Sequence, residues 1–175
     1  MTPALVVRDM ALADVDRVSE IRIRGRQSAY RGLLPQPYLD APSVAEDAER
    51  RRARFGQGGA GVVNLVVEQA GRVVGRAAHG GCRDGEVRAD DTELYAIYVD
   101  TEYLGRGVGR VLLQESVRRA GALGYSRTYL WVLKGNATAR RFYERAGLHA
   151  DGAEEPFEVE GVAVPEVRHL GHLPL

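Results

Sequence analysis

At 175 residues and 19.1 kDa the chain has the size of one domain, spanning 1–175, and a hydrophobic fraction of 45% is enough to bury a proper core. Twenty-four basic residues balance twenty-four acidic ones, so no overall field recruits nucleic acid or an anionic membrane, and neither is an expected partner. Cys82 is the only cysteine and the four histidines show no metal-ligand spacing, which excludes an intrachain disulfide, leaves no metal site to expect and suits a reducing cytoplasm.

The N-terminal "MTPALVVRDM" has no basic n-region followed by an apolar h-region, and no apolar run approaches the roughly 20 residues of a membrane span, so a soluble, unexported protein is expected. Ala4 to Asp9 reads as a short strand. Val15, Val18, Ile21 and Arg22 then recur at helical spacing behind Asp14, a candidate cap. "GLLPQPYLDAP" holds three prolines and predicts an ordered loop, after which Ser43 and Glu46, in capping-box spacing, open a second helix ending near Phe55. The run Gly56 to Gly61 reads as a connection rather than a phosphate loop, because a strand and not a helix follows it. "VVNLVVEQAGRVVGRAAHGG" predicts an antiparallel hairpin turning at Ala70 and Gly71.

Thr92 to Asp100 is a strand rich in aromatic and β-branched residues. The stretch "YLGRGVGRVLL" follows, leading into a helix with Val108, Val111, Leu112 and Val117 on one side and a stop near Gly124. Arg127 to Leu133 is an unbroken apolar strand, so this strand–helix–strand unit implies a parallel pair. A further helix is capped by Asn136 and closed by Gly147, and "FEVEGVAVPEVRHL" ends the chain as a hairpin. The order βα, α, ββ, βαβ, αββ predicts an α/β (α+β) fold with a mixed central sheet.

Amides at a helix start are unpaired and carry the positive end of the helix dipole, so a strand–glycine turn–helix junction can hold an anion. Gly105, Gly107 and Gly109 would let the backbone approach phosphate oxygens, and Arg106 and Arg110 could add charge-assisted contacts of roughly 1.5–3 kcal/mol each. Taken alone, three glycines are read equally well as a turn. A Walker loop requires Gly-Lys-Ser/Thr, and neither Lys nor Ser/Thr stands near Gly109. A dinucleotide fingerprint needs G-x-G-x-x-G, whereas the spacing here is G-x-G-x-G. The pyrophosphate of coenzyme A is the third reading.

"LYAIYVDTEYLGRGVGRVLLQ" followed by "YLWVLKGNATARRFYERAG" resembles the acyl-CoA-binding core of the GNAT superfamily of N-acetyltransferases, whose loop reads Gln/Arg-x-x-Gly-x-Gly/Ala. The match is specific over Glu93 to Gly147, and "AYRGLLPQPYLD" and "GVAVPEVRHL" also resemble segments of bacterial members. Leu104 stands where the family usually has Gln or Arg, which removes that side-chain contact, while Gly107 and Gly109 keep the two required glycines. The resemblance implies the acyl-CoA N-acyltransferase fold, with a mostly antiparallel sheet and helices on both faces, and acetyl-CoA as cofactor. Its implied contacts are the main chain of Ile97, Tyr98 and Val99, the loop Leu104, Gly105, Arg106, Gly107, Val108, Gly109 and Arg110, and Asn136, Arg140 and Tyr143 on the next helix.

The resemblance also implies direct acetyl transfer to a primary amine, with Glu93 as general base and Tyr143 as donor to the leaving thiolate. From the residues alone, Glu93 is equally a strand-end carboxylate and Tyr143 a core aromatic beside Phe142. By the same resemblance the acceptor, a small-molecule amine or a peptide, is expected between the first two helices and the final hairpin, which nominates Arg24, Tyr30 and Tyr38 beside Glu93. Glu154, Glu155 and Glu158 would suit a cationic amine there; Arg22, Arg24 and Arg26 would suit one bearing a carboxylate. A homodimer would follow the family's habit. The rival readings are a non-catalytic acyl-CoA-binding or sensing domain, and a structural module whose glycines only make a turn.

Overall fold

A computed structural model describes residues 1–57, 62–82 and 90–175. The strands are β1 (Leu5–Asp9), β2 (Val63–Gln69), β3 (Arg72–Gly81), β4 (Asp91–Val99), β5 (Arg127–Leu133), β6 (His149–Val159) and β7 (Val162–His172). The helices are α1 (Val15–Ala29), α2 (Gln36–Asp40), α3 (Val44–Arg54), α4 (Val108–Ala122) and α5 (Ala137–Arg145). The strands form one sheet in the order β1-β2-β3-β4-β5-β7-β6, antiparallel throughout except for the β4–β5 pair.

Alternation along β2 divides the core between two layers. Val66 points to α1, with Val18, Ile21 and Val73, while Leu65 and Val67 point to α4, with Val74, Val108 and Leu112. A third cluster ties β4, β5 and β7 to α4 and α5 through Leu94, Leu130, Val167, Leu113 and Phe142. The β2–β3 hairpin turns at Ala70 and Gly71, whose φ values of 51° and 76° give the paired left-handed residues of a tight hairpin turn.

Ser43 caps α3 by accepting the Glu46 amide at 3.0 Å, and Asn136 caps α5 by accepting that of Ala139 at 3.2 Å. Asp14 precedes α1 but does not cap it. Its carboxylate accepts the Ala11 amide and both terminal nitrogens of Arg8, which fastens β1 to the approach to the helix. The proline-rich stretch also departs from its expected loop: α2 starts directly behind Pro35, with Pro37 in its first turn, where the missing N–H would have no partner in any case. The C-terminal hairpin is longer than its sequence pattern suggested, with β6 starting at His149. Of the glycine run Gly56 to Gly61, residues 58–61 lie outside the described residues.

The feature that positions the site is a fork in the sheet. β4 and β5 pair only from Asp91↔Arg127 to Glu93↔Tyr129, although β4 runs on to Val99 and β5 to Leu133. At the point of parting, Leu94 opposes His79 and Ala96 opposes Ala78, so Tyr95 is an extra residue, a bulge that bends β4 away from β5.

Candidate active site

The fork opens a cleft of about 1100 Å³ running from the start of α4, between β4 and β5, to α1 and α2. Beyond the bulge the edge of β4 that faces β5 has no strand beside it. Asp100 donates its amide to the Val74 carbonyl on β3, so alternation turns the main-chain groups of Tyr98 and Ala96 toward β3 and those of Ile97 and Val99 toward the open side. Ile97 and Val99 therefore present the free main-chain edge. Tyr98, named with them from the sequence, reaches the cleft by its side chain.

At one end of the cleft is the start of α4. Gly105 and Gly107 have φ of 73° and 82°, a backbone that other residues rarely adopt, and Gly107 stands at the cap position without a capping side chain. The first α4 amide with a helical partner is that of Val111, on Gly107, so the amides of Val108, Gly109 and Arg110 are left to a ligand. The first turn carries no acidic residue, only Arg110, so nothing in it answers the positive end of the dipole. Gly109 is helical, and a Cβ there would reach the Phe142 ring at 3.4 Å, an ordinary contact. Arg106 lies over the Tyr103 ring, 5.1 Å from its centroid, and Leu104 is exposed at the rim.

Asp100 holds this loop to the sheet, a role its place at the end of a strand did not announce. It accepts the Glu102 amide at 2.9 Å and an ion pair from Arg17 of α1. Burial opposes ionisation of Asp100, but the Glu102 amide and Arg17 outweigh it and hold the carboxyl below its ordinary range.

On the α5 side, Asn136 and Tyr143 both line the cleft, two turns apart on one face. Burial of the hydroxyl end, with the Tyr98 phenol beside it, pushes the Tyr143 phenol above its ordinary value, so it holds its proton throughout the neutral range. The Tyr30 phenol is raised too, by burial and then by Tyr98. Arg140 is not part of the lining; it donates to the Lys134 carbonyl at 3.0 Å, and its Nε is buried without a partner.

Glu93 occupies the last paired position before the fork. It is 3% exposed, accepts the Tyr129 hydroxyl at 2.7 Å and lies behind the cleft wall rather than on it. Cys82 lies 3.2 Å from the same hydroxyl, and among the described residues neither cysteine nor histidine lines the cleft.

The far end is walled by Tyr30, Leu34, Tyr38 and Phe157, with Tyr38 edge-on to Phe157 at 6.5 Å. Arg26 lies over the Tyr38 ring, 5.3 Å from its centroid. Arg24, nominated with these tyrosines, is on another side of α1, exposed and paired with Glu20 at 2.7 Å. Arg22, Arg26, Trp131 and Glu166 also line the cleft, and of these only the two arginines were nominated from the sequence.

The acetyltransferase (GNAT) family profile matches residues 27–148, more than half of the chain. The N-acetyltransferase YuaI of Bacillus subtilis, itself uncharacterised, is 28% identical over 163 residues, covering 93% of this chain and 90% of that one. Among solved structures, the PaiA N-acetyltransferase of Thermoplasma acidophilum in complex with coenzyme A superposes with a TM-score of 0.72 at 17% identity, covering 97% of this chain and 99% of that chain. YncA of Salmonella typhimurium, solved with its cofactor acetyl-CoA, gives a TM-score of 0.72 at 21% identity, covering 98% and 95%.

Proposed function

The chain belongs to the acetyltransferase (GNAT) family, and we propose on that premise that it moves the acetyl group of acetyl-CoA directly to a primary amine. The observation that carries this reading is the fork. Its unpaired β4 edge, with Ile97 and Val99, can bind pantetheine as an added strand, and it ends at the uncapped start of α4, which suits a pyrophosphate. The absence of a thiol from the described lining favours direct transfer over a cysteinyl acyl-enzyme.

In this reaction the amine nitrogen attacks the thioester carbonyl carbon, the C–S bond breaks, and the sulfur leaves as thiolate. A main-chain amide of the open β4 edge holds the carbonyl oxygen as negative charge develops there. Tyr143, protonated at neutral pH, passes its proton to the thiolate. Glu93, at the root of the fork and held by Tyr129, takes the amine proton through water. Asn136, whose carbonyl oxygen is occupied by the helix cap, turns its remaining donors to the cofactor.

Calorimetry with acetyl-CoA, with ATP and NADH as controls, tests the cofactor; Gly107→Glu, which sets a carboxylate at the anion site, should abolish the binding. Thiol release with a panel of amines tests the transfer. Tyr143→Phe should cost about 10²-fold in kcat with acetyl-CoA affinity nearly unchanged. Unchanged turnover would remove Tyr143 from the reaction, and binding without turnover on any amine would leave only an acyl-CoA-binding domain.

A further inference from the structure

We propose that the acceptor is a small amino acid, an amine that also carries a carboxylate, seated with that carboxylate on Arg26 and Arg22. The inference rests on the transferase reading above and names its substrate class. Among the described residues the cleft is lined by four charged side chains, Arg22, Arg26, Arg110 and Glu166. Arg110 belongs to the cofactor end. Arg22 and Arg26 stand one turn apart on the same face of α1, beside Gly25, where the helix comes so close to β4 that a Cβ would meet the Tyr98 ring at 3.1 Å.

Arg26 makes no ion pair with any described residue and is oriented by the Tyr38 ring beneath it. Arg22 has a partner, Asp47 at 2.8 Å, but must share it with Arg51 at 3.4 Å. Behind them Arg76, the cross-strand neighbour of Tyr98, is 4% exposed, and its one hydrogen-bond partner among the described residues is the neutral Asn64 side chain at 3.2 Å. Two guanidinium groups thus share one carboxylate, and a third, Arg76, rests on a neutral partner. Burial, and after it the repulsion of Arg51 and Arg22, lowers the Arg76 pKa to about 10. This end of the cleft is short of negative charge, which a planar carboxylate would supply in bidentate form.

The acidic residues that could have favoured a polycationic amine are directed elsewhere. Glu154 is held by Lys134 at 3.1 Å, and neither Glu155 nor Glu158 lines the cleft. The one lining acid, Glu166 on β7, is itself engaged by a neighbour. The cations on the α1 wall match an amine that also carries a carboxylate better than a simple amine.

The test is steady-state thiol release at saturating acetyl-CoA with the proteinogenic amino acids, β-alanine and 4-aminobutyrate, each beside its primary amide, and with spermidine and a short peptide amide for contrast. At least one acid should exceed its amide about 100-fold in kcat/KM, the effect of charge-assisted contacts to one carboxylate. Arg26→Gln should erase that preference by raising KM for the acid, leaving the amide and the KM for acetyl-CoA unmoved, and Arg26→Lys should restore part of it. Turnover that favours the amides, spermidine or the peptide overturns this inference alone, as does an Arg26→Gln loss equal for acid and amide. No turnover on any amine, by protein that binds acetyl-CoA, overturns the transfer reading and this inference with it.

Discussion

Gly75 on β3 offers a sharp test of how the sheet sets the cofactor end of the cleft. A Cβ there would lie 2.8 Å from Val108 Cγ1, 3.0 Å from Val67 Cγ1 and 3.1 Å from Leu112 Cδ1. All three side chains are fully buried or nearly so, and Val108 is the first helical residue of α4, so the added methyl has no flexible end to displace. Overpacking of this kind costs about 1–3 kcal/mol. In a domain of this length each kcal/mol moves Tm by roughly 2–4 °C, so Gly75→Ala should melt about 2–12 °C early. Gly121→Ala is the control: its site is open and its backbone helical, and it should gain about 0.5–1 kcal/mol. Because the strain falls on Val108, acetyl-CoA should also bind Gly75→Ala more weakly. The double variant with Val108→Ala should recover both properties, with a coupling energy of about 0.5–3 kcal/mol in the rescuing direction. Thermal unfolding and calorimetry read the two effects. A Gly75→Ala Tm within about 1 °C of the parent, or no rescue in the double variant, would refute the claim that this glycine seats the helix.

Glu93→Gln should slow transfer at neutral pH by an amount that shrinks as pH rises and free amine becomes abundant, whereas a pH-independent loss in the rate profile would mark Glu93 as a structural partner of Tyr129. Asn136→Ala removes the α5 cap and should cost about 1 kcal/mol, seen as a Tm lower by roughly 2–4 °C. The Arg8 hydrogen bonds hold the Asp14 carboxyl below its ordinary value of 3.8, so its contribution to stability is present above that value and lost as pH falls through the lower folded value. Asp14→Asn should therefore be less stable than the parent at neutral pH, with the gap closing in acid unfolding curves below about pH 4; a gap independent of pH would assign the effect to packing.

Much of this site is written in local sequence, and what is not depends on distant partners. The strand–glycine–helix junction, the Asn136 cap and the parallel crossover are legible because each follows from neighbouring residues. The fork is not, since the Tyr95 bulge exists only in the register of β4 against β3. The burial of Glu93 behind the cleft wall likewise depends on Tyr129, on another strand.

The arginines of α1 show a finer limit. Arg22, Arg24 and Arg26 look alike as a run, but at 3.6 residues per turn Arg24 points about 200° away from Arg22, while Arg26 returns to its side. The buried stripe Val18, Ile21 and Gly25 then decides which side meets the sheet, so Arg26 enters the cleft and Arg24 pairs with Glu20 in solvent. The glycines of the loop differ in the same way. Gly107 is required by its backbone, at φ 82° with open space around it, whereas Gly109 is helical and a Cβ there would make only an ordinary contact with Phe142 at 3.4 Å. Alanine at Gly107 would therefore strain the turn itself, while at Gly109 it would fit against Phe142 at contact distance. A shared letter at alternate positions conceals one glycine that the backbone demands and one that it does not, and only the structure separates them.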